Sequence, residues 1–181
     1  MKTRWTWGLI VLVAAGLVLT SPALEAQARR ARKAKIKCRL DGEKFKTNTR
    51  GGGAGGTYEQ PIDELAIVGG RAKYRGRNPA TISIDVRTFS MIVLPIDDLA
   101  TAAFPLVVPV TSAVYSKTIT KGFSVVEAKI FEGEGVTMTV TSFDGTRILG
   151  TAEGTIPPLE GATEPALVEG CKFSINLAAA P

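Results

Sequence analysis

Histidine is absent from all 181 residues. That removes Ser-His-Asp and Cys-His catalysis, the zinc motifs that use imidazole, and the usual general base near neutral pH. Cysteine occurs twice, at Cys38 and Cys171, with no C-x-x-C spacing, so neither a redox dithiol nor a zinc knuckle is encoded. Beyond the first thirty residues no stretch of twelve carries a helical stripe. The longest uninterrupted apolar run, Trp7 to Leu19, covers 13 residues, short of the roughly 20 that a membrane-spanning helix needs.

The first residues have an export signal's order of parts. Lys2 and Arg4 precede the apolar run, Ser21-Pro22 breaks it, and Ala26-Gln27-Ala28 has the small-x-small form of a cleavage site. The expected divisions are a signal peptide over 1–28, a basic tail over 29–34, a β-domain over 35–177 and a C-terminal tail over 178–181. Arg29, Arg30, Arg32, Lys33, Lys35, Lys37 and Arg39 crowd the segment after the cut, which keeps an uncleaved, anchored form as the alternative. Residues 40–181 hold 13 Lys and Arg against 16 Asp and Glu, a net charge near −3. The basic pI therefore belongs to the tail, and a nucleic-acid partner is not expected. A secreted or periplasmic protein is the expectation, with no transmembrane segment after cleavage and with the tail suited to an anionic envelope surface.

In an exported chain two cysteines are expected to pair. Cys38 lies in "KIKCRL" and Cys171 in "CKFSINL", both alternating with the cysteine on the apolar side, which is the period of a half-buried strand. A structural disulfide between them would set the first and last strands side by side.

Strand patterns recur in "EKFKTNT", "ELAIVGG", "ATISIDVRTF", "SAVYSKTI", "FSVVEAKIFEG", "GVTMTVTSF" and "TRILGTAEGTI". Ile82, Ile84 and Val86 alternate with Ser83, Asp85 and Arg87, and Val136, Met138 and Val140 with Thr137, Thr139 and Thr141. Pro95, Pro105 and Pro109 limit Met91 to Pro109 to short or edge strands; Ile96 to Ala103, with Asp97 as cap, is the one candidate for a short helix. The expected fold is all-β, a single antiparallel β-sandwich or partly open barrel of about eight or nine strands after an N-terminal signal helix.

"CRLDGEKFKTNT", "GVTMTVTSFDGTRILGTAEGTI" and "EGCKFSINL" together resemble a family of exported bacterial β-proteins of unknown function, many of them lipoproteins. The resemblance implies a β-sandwich or lipocalin-like fold and an envelope location. It brings no catalytic residues, and the chain departs from the pattern at Ile156 and in lacking a lipidated cysteine.

Gly51, Gly53 and Gly56 spell G-x-G-x-x-G in "RGGGAGGTYEQP". A dinucleotide site also needs a helix opening inside the motif, and Pro61 with no apolar stripe after it points instead to a mobile connection between strands. "GRAKYRGRNP" places Arg71, Lys73, Arg75 and Arg77 two apart. In an extended chain they share a face, a candidate anion site for phosphate, sulfate or an acidic polysaccharide; the competing reading is a solvated edge strand or loop. Carboxylate pairs exist at Glu132/Glu134 and Asp97/Asp98 without the setting of a glycosidase or calcium site. No enzyme, metal or cofactor is expected. The chain reads as a non-catalytic binding or structural module at the cell envelope, with a small lipocalin-like carrier of an apolar ligand as the alternative.

Overall fold

The computed structural model describes residues 34–59, 63–78 and 80–179. The proposed signal peptide and all of the basic tail but Ala34 lie outside them. The chain is all-β, and its sheet curls into an open half-barrel. Its strands are β1 (Lys35–Leu40), β2 (Glu43–Lys46), β3 (Ala54–Glu59), β4 (Glu64–Arg75), β5 (Ser83–Val93), β6 (Leu106–Pro109), β7 (Ser112–Lys121), β8 (Ser124–Gly133), β9 (Val136–Phe143), β10 (Arg147–Ile156), β11 (Pro158–Glu160) and β12 (Ala166–Ala179).

One run of strands has the order β2-β1-β12-β10-β9-β6, the other β3-β4-β5-β7-β8-β11. They join where the end of β12 meets β3: Leu177 pairs Gly56 and Ala179 pairs Tyr58. This pairing is parallel, whereas the sequence led us to expect antiparallel strands throughout. β12 also continues to Ala179, so the first two residues of the anticipated C-terminal tail are strand.

The core forms where the inner faces of the two runs meet. Phe45 of β2 packs edge-on against Phe89 of β5, with ring centres 6.3 Å apart, and Tyr58 meets Phe143 in the same way. Ile36, Leu40, Leu65, Met91, Met138 and Ile148 are fully buried around them. Each such side chain contributes about 1.5–3 kcal/mol through its transfer from water. Cys38 and Cys171 are bonded across β1 and β12, which places the first and last strands together as their alternation predicted.

Two expectations about loops are corrected. Residues 96–103 form no helix: Asp98, rather than Asp97, organises a turn by accepting from the Ala100 N–H through its side chain and from the Thr101 N–H through its carbonyl. The glycine-rich segment is no loose connection either. Asn48 caps a 3-10 turn over Thr49–Gly51, and its side chain accepts from Gly51 N–H and Ala72 N–H and donates to Ala72 O. Gly70 N–H donates to Gly53 O, and Gly55 and Gly56 enter β3. Small residues are needed because the turn lies against β4: a Cβ on Gly70 would stand 1.6 Å from the Gly51 carbonyl oxygen.

Candidate anion-binding site

β4 does not stop after the apolar "ELAIVGG" but continues through the cationic cluster to Arg75. Pleating therefore sets Arg71, Lys73 and Arg75 on the face that carries Leu65 and Ile67. Arg77 lies past the strand end, exposed in the connection to β5. Three of the four expected cations thus share a face, and the fourth does not join them. β5 pairs β4 along this whole stretch, but β3 pairs it only over Glu64–Gly69; the cluster is therefore strand and not loop, with the Asn48 side chain on Ala72 in place of a strand on its other side.

The register of the neighbouring strands extends the cluster in a way that no single segment announces. Arg71 pairs Arg87, Arg87 pairs Lys117 and Lys117 pairs Lys129, so four cations form one row across β4, β5, β7 and β8. On β5 the face holding Asp85 and Arg87 also holds Phe89, Met91 and Val93. The charged set points inward and Ile84 and Val86 point outward: Arg87 is 4% exposed and Val86 39%. Phe89, Tyr115 and Phe131 form the row just deeper, with Tyr115 and Phe131 stacked at 5.6 Å.

Four like charges in adjacent registers repel, and this row is held by interleaved acids. Asp85 takes Arg87 in a two-pronged pair at 2.7 and 2.9 Å. Glu43, at the start of β2, reaches Arg87 at 2.6 Å and Lys117 at 2.7 Å. Glu127 meets Lys117 at 2.8 Å, and Lys129 stands 3.7 Å from Asp41. The hydrogen bond from Lys117, aided by Arg87, holds the Glu43 carboxyl below its usual range against the opposing effect of burial. Burial works against the charges on Arg87 and Lys117, yet their acid partners outweigh it and raise both. Burial pushes the Tyr115 phenol up.

Not every cation is matched. Arg71 donates to the Lys44 carbonyl and meets no carboxylate among the described residues. Lys73, Arg75 and Lys121 make no ion pair among them either. A hollow of about 330 Å³ opens here, with Lys73, Arg75, Arg87 and Lys117 on its walls and Glu43 and Asp85 between them. It suits a group bearing two or more negative oxygens: exposed Lys73 and Arg75 would receive it, and the ordered Arg87 and Lys117 would form the far wall.

The remaining sequence candidates do not converge. Glu132 points out from β8 and Glu134 lies in the turn after it, both exposed; Asp97 is exposed, and Asp98 is engaged in its turn. Among the described residues no group of three His, Cys, Asp or Glu side chains is placed to hold a metal ion. A second hollow, about 610 Å³, lies beside β3 and is walled mainly by apolar groups of Ala54, Ile67, Met91 and Leu177. The missed residues were Arg87, Lys117 and Glu43. The inward face of β5 offered a signal for Arg87, but the row itself exists only in the strand register. No family model, curated protein or solved structure matches the chain.

Proposed function

We propose that the protein is an exported, non-catalytic β-module of the bacterial cell envelope that binds an anionic ligand at the cation-lined end of its curled sheet. The observation that carries this reading is the row Arg71, Arg87, Lys117 and Lys129 with unpaired Lys73 and Arg75 at its mouth. Export rests on the order of charges, apolar run and A-x-A site at the start of the sequence. The likeness of three segments to exported bacterial β-proteins agrees with it. The ligand class is a phosphorylated, sulfated or polycarboxylate group, recognised by charge-assisted hydrogen bonds.

Titration calorimetry with inorganic pyrophosphate tests the reading. The wild-type chain should bind, less tightly as salt rises, and Lys73→Gln with Arg75→Gln should remove most of the affinity. Both side chains are exposed, so the double variant keeps the fold. Undiminished binding by that variant, or no binding by the wild type, refutes the site. A second reading, a carrier of an apolar ligand, is favoured by the apolar hollow beside β3; lipid retained through purification and lost on substituting Val68→Glu, at an exposed wall position, would support it.

A further inference from the structure

The end of the sheet that carries the unpaired cations also carries bare apolar side chains. Phe123, in the turn between β7 and β8, is 94% exposed, and Val125 and Val126 beside it are 62% and 58% exposed. Register adds a row on the outer face: Tyr74 pairs Ile84, Ile84 pairs Thr120 and Thr120 pairs Val125. On the inner face the last row is Arg75, Ser83 and Lys121, and Arg77 follows in the adjoining connection. The two connections lie together at this end, since Gly122 N–H donates to Ile82 O. The tip is therefore apolar on one side and cationic on the other, and Asp85, already paired with Arg87, is the nearest acid on β5.

We infer that this tip docks on an anionic lipid surface, with Phe123, Val125 and Val126 entering the bilayer interface while Arg75, Arg77 and Lys121 meet the headgroups. The inference rests on the anion-binding reading above and names the source of the anion, a lipid headgroup presented by a membrane. Charge complementarity selects this occupant. A protein partner would need acids matched to each cation, whereas an anionic bilayer supplies negative charge wherever the cations fall and an apolar layer beneath it for the ring. Beside a small soluble anion the Phe123 ring and the two valines next to it would stay in water. The ring gains its transfer free energy when it leaves water for the interface.

The test uses the full chain with Trp5→Phe and Trp7→Phe, so that Phe123→Trp gives the sole tryptophan and reports on the tip alone. Its emission should move to shorter wavelength with vesicles of phosphatidylglycerol and phosphatidylcholine, and should stay put with phosphatidylcholine alone. Adding Arg75→Gln and Lys121→Gln should weaken the vesicle titration by on the order of 30-fold, from about a fivefold effect per cation near an anionic surface. An equal shift on neutral vesicles overturns the inference. So does an unmoved emission while pyrophosphate or dextran sulfate still binds the wild-type chain; the anion site then survives with a soluble ligand. Failure of vesicles and soluble anions alike removes both readings.

Discussion

Glu43→Gln should lower stability and raise anion affinity at the same time. The carboxylate bridges the two runs of strands at the charged end with the shortest contacts there, joining β2 to Arg87 at 2.6 Å and to Lys117 at 2.7 Å. Removing one partner of a fully buried pair costs about 3–5 kcal/mol. Here the Glu43 side chain is 44% exposed, and each cation keeps a second acid, Asp85 or Glu127. Solvent screening and those partners reduce the loss to about 1–2 kcal/mol, or about 3–8 °C in Tm for a domain of this size. For an anion about 6 Å away at an effective dielectric near 40, deleting the negative charge gains on the order of 1.4 kcal/mol, a tenfold tightening. Urea unfolding gives the first quantity, with an unchanged slope, and pyrophosphate calorimetry the second. The pH dependence follows from the lowered Glu43 pKa. Its stabilisation is complete above the unfolded value, near 4.5, and is lost as pH falls through the lower folded value. Wild type and variant should therefore converge in acid below that range. A stability difference that persists undiminished there, or an affinity that falls on substitution, would refute the reasoning.

Cys38→Ser with Cys171→Ser opens a closure spanning 133 positions. It should remove up to about 5 kcal/mol by the chain-entropy relation, seen as a lower urea midpoint; a midpoint equal to that of wild type would show that pairing with β12 alone holds β1. Gly70→Ala places a Cβ where the Gly51 carbonyl stands, so the turn must lift from β4. We expect a loss of about 2–4 kcal/mol and faster amide exchange at Gly53 and Ala72; unchanged exchange would contradict the packing argument.

Alternation in β1, β9, β10 and β12 was legible because each has one wet and one dry face along most of its length. β3 and β11 escaped notice because they contain Gly55 and Gly56, and Pro158, residues that ordinarily argue against strand; both make short ladders where a missing side chain or donor is tolerated, and β6, four residues at the end of its run, is the short edge strand that the prolines there permit. Inside and outside were hardest to read on β5. Its charged and apolar sets alternate cleanly, but the inward face changes from Asp85 and Arg87 to Phe89, Met91 and Val93 along one strand. Which set faces in is decided by Glu43 and Lys117, and both are distant in sequence.

The buried row also bears on why such a sequence is built. Exchanging paired buried ions for apolar groups of similar size is often neutral or stabilising, so stability alone does not call for Arg87 and Lys117 inside the sheet. The aromatic row Phe89, Tyr115 and Phe131 lies one row deeper on the same face. The acids provided are also too few for the cations: Glu43 and Glu127 are shared between two cations each, and Arg71, Lys73, Arg75 and Lys121 meet none among the described residues. An arrangement serving packing would match its charges. One serving an incoming anion leaves positive charge unspent at the mouth and fixes the deeper cations in place, which is the distribution found from Arg75 inward to Arg87.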